Sequence, residues 1–160
     1  MRPLFTPWRM EYLKAHTANG CIFCEALRGD PQKGLVVFSG SENFILLNRY
    51  PYTNGHLMIA PRAHEASLDG LSPAGRMEIM DLLIRAQDVL KGLYAPGGFN
   101  IGMNVGSCAG AGIADHLHVH VVPRWEGDTN YMSVLSETRI IPEDMNLTWQ
   151  KVRNAFGSGS

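Results

Sequence analysis

Asp115-His116-Leu117-His118-Val119-His120-Val121-Val122-Pro123-Arg124 alternates histidine with apolar residues. Such period-two alternation predicts a half-buried strand over this stretch. His116, His118 and His120 then share one face, and Leu117, Val119 and Val121 the other. At a rise of about 3.3 Å per residue, neighbouring histidines sit about 7 Å apart and the outer pair about 13 Å apart. Zinc–nitrogen bonds are only about 2 Å, so one ion cannot take all three imidazoles from this strand. The alternative is three histidines scattered on a polar face, but such strict alternation beside an apolar face marks this row as the site of chemistry.

Around this stretch the chain is ordinary. Its 160 residues suit one domain, expected over residues 1–156, with a flexible Gly157-Ser158-Gly159-Ser160 tail. Apolar content of 45%, charged content of 18% and a net charge of −1 fit a globular protein with no broad basic surface, so neither nucleic acid nor an anionic membrane is an expected partner. No apolar run approaches the roughly 20 residues that span a bilayer. Three cysteines are too few and odd in number for a disulfide framework. With no signal-peptide core at the N-terminus, the expected location is the cytoplasm.

In chain order, Thr6-Pro7 opens a short helix to about Lys14, with Trp8 and Tyr12 on one face. Cys21-Ile22-Phe23-Cys24 fits a metal ion, a redox pair or two buried free thiols. A redox motif favours an early βαβ pattern, which this chain lacks. Strands are expected at Leu35–Phe38, Phe44–Leu47, His56–Pro61 and Phe99–Val105. Ser72-Pro73 caps one long helix with a core stripe of Met77, Met80, Leu82, Leu83, Ala86, Val89 and Leu90, ended at Ala95-Pro96-Gly97-Gly98. Gly106, Gly110 and Gly112 lie in a loop that is either an ordinary flexible connection or a place where backbone N–H groups approach an anion. Cys108, in the same loop, stands apart from the other thiols. Tyr131–Leu135 reads as a strand or a segment laid on a partner subunit, and Pro142 starts a last helix through about Phe156. The expected fold class is therefore α+β, an antiparallel sheet of about five strands with one long helix and short terminal helices.

A neutral imidazole is a good nucleophile near pH 7. Its attack on phosphorus gives a phosphoramidate that water or another acceptor then opens. The nucleophile needs its other ring N–H held by an acceptor, and the phosphate oxygens need donors. His118, flanked by a histidine on each side, is the natural candidate. Two histidines spaced His-x-His can instead share an open zinc site, which requires a third ligand and a bound water. Cys21, Cys24, His64 and one strand-end histidine make a four-ligand set of the kind that is usually structural.

The triad His116-Leu117-His118-Val119-His120-Val121-Val122, with Gly55-His56-Leu57-Met58-Ile59-Ala60-Pro61-Arg62-Ala63-His64 and the Asn104-Val105-Gly106 and Ala109-Gly110 loop, resembles the histidine-triad family of nucleotide hydrolases and transferases. The resemblance runs from about Cys21 to about Asn130. It implies a homodimer sharing one continuous sheet, and a nucleotidyl-histidine intermediate formed by His118, with His120 on the phosphate and His56 in support. It places Asn48 on the ribose, Asn104 on the phosphate side, and Ile22, Phe23 and Leu46 around the base. It also implies a zinc ion on Cys21, Cys24, His64 and His116, as in some bacterial members. The family often has a hydroxyl residue just before its triad; here Gly110-Ala111-Gly112-Ile113-Ala114-Asp115 is one residue longer and has none, which leaves phosphate binding to backbone N–H groups such as those of Gly110 and Gly112. Pro123-Arg124-Trp125, Gly127-Asp128 and Asn130, with Pro7-Trp8-Arg9-Met10-Glu11-Tyr12, are similar to the branch that cleaves diadenosine polyphosphates, including its phosphorylases. Diadenosine tetraphosphate or a related adenine nucleotide is the implied substrate. A nucleoside phosphoramidase and a non-catalytic nucleotide-binding protein are the alternatives.

Overall fold

The computed structural model describes residues 20–128 and 141–158. Five strands form one antiparallel sheet: β1 (Val36–Ser39), β2 (Asn43–Leu47), β3 (Leu57–Pro61), β4 (Gly98–Met103) and β5 (Val119–Arg124). Their order is β1-β2-β3-β5-β4, which puts β5 inside the sheet and β4 at its edge. Among the described residues three α-helices accompany them: α1 (Ile22–Arg28), α2 (Pro73–Tyr94) and α3 (Met145–Gly157). The architecture is α+β, as the alternation of the strands and the single long periodic segment predict. The helix expected over Thr6 to Lys14 and the strand expected at Tyr131 to Leu135 lie outside the described residues.

Alternation sorts the strand residues onto two faces. Ile45, Leu47, Leu57, Ile59, Val119 and Val121 belong to one core cluster with residues of α2 and α3. Phe44, Leu46, Met58 and Ala60 form a second with Phe23 and Ala26 of α1. The histidines stand on this second face. Register aligns Leu46 with Met58, Met58 with His120, and His120 with Gly102. One cross-strand row thus runs from β2 to the edge strand.

The histidine strand is shorter than its alternation predicts. It starts at Val119, opposite Ile59, because β3 ends at Pro61 and the chain before Val119 pairs elsewhere. The Leu117 N–H donates to the Glu65 carbonyl at 2.6 Å. The Pro61 carbonyl is taken by the His116 ring, at 2.8 Å, not by a backbone N–H. His116 and His118 therefore sit just upstream of the ladder while keeping its alternation.

Ser72 caps α2, its hydroxyl accepting from the Gly75 N–H, and Pro73 occupies the first turn. The core stripe of α2 is Ile79, Leu82, Leu83, Ala86 and Leu90. Met77 and Met80 do not belong to it; they are 65% and 57% exposed. At 100° per residue they align with Ile84 on the outer side, as a second apolar stripe. The last helix begins three residues later than Pro142. Asp144 is its N-cap, accepting from the N–H groups of Asn146 and Leu147, and the helix runs one residue into the expected tail.

The helix α1 has no period long enough to read in sequence. Its seven residues are held by packing, with Phe23 and Ala26 buried. Gly34 lets β1 enter beneath it: a Cβ there would meet the Ala26 main chain at 2.9 Å. Gly55, at φ +75°, turns the chain into β3 where a side chain would strike Leu90. The connection is further tied by the Thr53 hydroxyl, which donates to the Pro123 carbonyl at 2.9 Å.

Candidate active site and metal centre

Backbone carbonyls set the protonation of the first two triad histidines. The His118 Nδ1–H donates to the carbonyl of His116 at 2.9 Å, which leaves its Nε2 with the lone pair. His116 is held the other way round: its Nε2–H donates to Pro61, so its Nδ1 carries the lone pair. His118 is 5% exposed, and burial pushes its pKa below the ordinary imidazole value despite the carbonyl acceptor. Burial, and then the neighbouring His118, bring His120 down to about 4. Both rings are neutral near pH 7.

His120 is oriented by a short relay. The Tyr52 backbone N–H donates to His56 Nδ1 at 3.1 Å. His56 must then carry its proton on Nε2, which lies 3.0 Å from His120 Nδ1 and donates to it. His120 in turn holds its proton on Nε2. The Tyr52 ring packs on His56 and on His120, with centroids 4.8 and 6.2 Å apart. The result is a base-form nitrogen on His118 beside a donor nitrogen on His120, their rings edge to face with centroids at 4.9 Å.

A cleft of about 340 Å³ opens beside α1. Ile22, Ala26, Leu46 and Met58 give it apolar walls, and Asn48, Lys33 and Arg49 polar groups. The Asn48 side-chain oxygen accepts from the Tyr50 N–H at 2.9 Å, which fixes the amide at the wall. Among the described residues no histidine lines the cleft. Met58 links it to the triad, because the residue paired with Met58 is His120. Phe23 does not line it either; it is 1% exposed, beneath the histidine rings. Asn104 is half-buried just past β4. Ser107–Ala109 form a 3-10 turn closed by the Gly110 N–H on the Ser107 carbonyl at 3.0 Å, and Gly112 follows in the connection to His116. Met58 and Tyr52 were not identifiable from spacing alone, since both owe their place to register and to the loop before β3.

Cys21, Cys24, His64 and His116 come together on the far side of His116, their ligand atoms all within 4.8 Å of one another. Cys21 is the N-cap residue of α1 and Cys24 lies one turn on, which brings both thiols to one side of the helix start. His116 Nδ1 lies 3.2 and 3.7 Å from the two sulfurs and 3.3 Å from His64 Nδ1, and His64 Nδ1 lies 3.4 Å from Cys24. Tetrahedral zinc, with bonds of about 2.3 Å to sulfur and about 2.0–2.1 Å to nitrogen, sets nitrogens about 3.3 Å apart and sulfur about 3.5 Å from nitrogen. The His116 Nδ1 lone pair and the His64 Nδ1 atom stand at a separation that such an ion would set. The donor set is closed, with no place for a reacting water, and can bind a metal. Cys108 is exposed and takes no part.

Of the residues that resemble the polyphosphate-cleaving branch, Arg124, Trp125 and Asp128 are engaged in shaping the chain, while Pro7–Tyr12 and Asn130 lie outside the described residues. Arg124 makes a paired contact with the Asp128 carboxylate, at 2.5 and 2.7 Å, and reaches Asn100 at 2.6 Å. The Trp125 indole N–H donates to the Tyr94 carbonyl at 3.1 Å. They fasten the turn after β5 to the edge strand and to the end of α2.

Comparison with known proteins agrees with this geometry. The HIT domain matches residues 31–127. An AP-4-A phosphorylase of Mycobacterium tuberculosis is 37% identical over 152 residues, covering 89% of this chain and 78% of its own length. Among solved structures, a zinc-bound histidine triad family protein from Mycobacterium smegmatis superposes with a TM-score of 0.66 at 26% identity, over 87% of this chain and 94% of that one. A hypothetical histidine triad nucleotide-binding protein from Sulfolobus tokodaii shares the fold, with a TM-score of 0.69 at 22% identity over 86% and 93% of the two chains. With its alternating histidines, tautomer-setting carbonyls and these relatives, the chain belongs to the histidine-triad (HIT) family and is an enzyme of the nucleotide hydrolase and transferase kind.

Proposed function

We propose that the chain cleaves diadenosine tetraphosphate, or a related adenine nucleotide, at an α-phosphate through a nucleotidyl-histidine intermediate, with phosphate as the acceptor. The observation that carries this reading is the His118 ring, whose Nδ1–H is held by the His116 carbonyl while Nε2 keeps its lone pair. His118 Nε2 attacks the α-phosphorus, a P–N bond forms, and the P–O bond to the departing ATP breaks. His120 Nε2–H donates to the phosphate as charge develops, with His56 fixing its tautomer. Inorganic phosphate then attacks the same phosphorus, the P–N bond breaks, and ADP leaves. Ile22, Leu46 and Asn48 hold the nucleoside in the cleft, whereas Asn104, Gly110 and Gly112 serve the phosphate side. Phosphorolysis rests on likeness to the mycobacterial AP-4-A phosphorylase.

Cys21, Cys24, His64 and His116 are the proposed zinc ligands. Such an ion supplies a structural cross-link between the start of α1, the turn after β3 and the triad. Among the described residues β4 is an edge strand, and that edge, with Ile101 42% exposed, and the Met77, Met80 and Ile84 stripe suit a homodimer with a continuous sheet. A cytoplasmic location accords with the nucleotide substrate.

The test is incubation with diadenosine tetraphosphate, with and without phosphate, and chromatography of the products. ADP and ATP formed only with phosphate support the reading in full. AMP and ATP formed in either case keep the cleavage and replace the acceptor by water. Binding without product, or turnover of adenosine phosphoramidate alone, overturns it.

A further inference from the structure

Phe23 stands between the two thiols in sequence and between the two sites in space. Its ring meets that of His116 with centroids at 5.0 Å and that of His118 at 4.9 Å, tilted 41° and 34°. These separations lie in the range of favourable aromatic contacts. It is buried in the cluster beneath α1 with Phe44, Leu46 and Met58, and it does not line the cleft. The turn that carries it is fastened on either side by Cys21 and Cys24, which face His116 and His64.

We propose that Phe23 is a positioning residue, through which the Cys21, Cys24, His64 and His116 centre holds the nucleophile His118 in its attacking orientation. The hydrogen bond from Nδ1 fixes one point of the His118 ring. It leaves the ring free to swing about that point, and a swing moves Nε2 the most. The Phe23 ring, packed against it at a 34° tilt, limits this freedom by restricting the plane. Both constraints lead back to the same centre: the accepting carbonyl belongs to the metal-facing His116, and the ring plane is set by a residue on the metal-facing turn. Attack geometry is sensitive at this scale, since a displacement of about 1 Å can cost on the order of 100-fold in rate. The centre is thus part of the catalytic apparatus as well as a cross-link.

This inference rests on His118 being the nucleophile, and its test has an arm that does not need turnover. Side-chain 15N NMR of the full chain at one pH, loaded with zinc and after zinc is removed by a chelator, reads the His118 ring directly. The expected result is one Nδ1–H ring environment with zinc, and averaged tautomers without zinc or in Phe23→Ala. Identical His118 signals in all three samples overturn the proposal. In the kinetic arm, Phe23→Ala should keep its zinc content and lose roughly 10- to 100-fold in kcat, as substitutions around metal ligands do. Its KM should stay within about threefold of wild type. A raised KM with unchanged kcat would make Phe23 a wall of the base pocket, and loss of zinc would make it packing for the centre alone; either result refutes positioning. If Phe23→Ala does not fold, Phe23→Leu, which fills the space without a ring face, carries the same comparison. Absence of turnover in the wild type would count against the functional reading, while the NMR arm still decides the role of Phe23.

Discussion

Withdrawing zinc should lower the melting temperature by roughly 10 °C, and two ligand variants should respond differently. A ligand that binds only the folded chain stabilises it by about 2.7 kcal/mol at 100 times its Kd and about 4.1 kcal/mol at 1,000 times. For a chain of this length each kcal/mol moves the midpoint by about 2–4 °C. His64 is exposed on the turn after β3, and among the described residues its ring meets Cys24 and His116. His64→Ala should therefore melt well below zinc-loaded wild type but level with wild type in excess chelator. His116 is fully buried and also satisfies the Pro61 carbonyl. His116→Ala leaves that acceptor unpaired, so it should melt lower still, by a further 1–3 kcal/mol or so, even with chelator present. Elemental analysis with thermal melts at several zinc concentrations makes the measurement. Protein purified without chelators that carries no metal, with a midpoint indifferent to added zinc, would refute the reasoning. So would equal melting of the two variants in chelator, because the Pro61 bond would then be worth nothing.

Two further outcomes are expected. His118→Ala should abolish turnover of diadenosine tetraphosphate while still binding AMP, as seen by calorimetry; undiminished turnover would place the nucleophile elsewhere. Glu143 gives a pH dependence of stability. Burial pushes its carboxyl up, but Lys151 and the hydroxyls of Tyr94 and Thr148 outweigh this and bring it down to about 2. A carboxyl lowered on folding stabilises above its unfolded value and loses that contribution as pH falls towards its folded one. Stability should thus drop between about pH 4.5 and pH 2, by on the order of 1 kcal/mol once solvent screening of the ion pair is allowed for, in denaturant titrations. Glu143→Gln should flatten that part of the profile.

Much of the site is local in the chain and so legible in it. The triad alternates with period two, the Cys-x-x-Cys pair is four residues long, and His56 and His64 flank a strand that proline stops. What could not be read depends on distance in sequence. The ladder begins at Val119 because Glu65 and Pro61 take up the preceding residues, and no pattern within 115–124 contains that information. The short helix α1 rests on packing of Phe23 and Ala26, with too few turns to show a period. Met77 and Met80 are apolar and near helical spacing, so composition alone joins them to the core stripe; only the angle separates them from Ile79 and Leu83. Met58 meets the cleft and His120 at once through strand register, which hydropathy does not encode.

His116 and His118 are chemically the same side chain two positions apart, and they are assigned opposite tautomers by the carbonyls of Pro61 and of His116 itself. Both discriminating atoms are main chain. Substitution of a neighbouring side chain removes neither acceptor from the chain, so the cleft, the edge strand or the outer helix face can differ while one ring keeps its Nδ1 lone pair and the other its Nε2 lone pair. The distinction travels with the path of the backbone, and a change that erases it must move the main chain at Pro61 or His116.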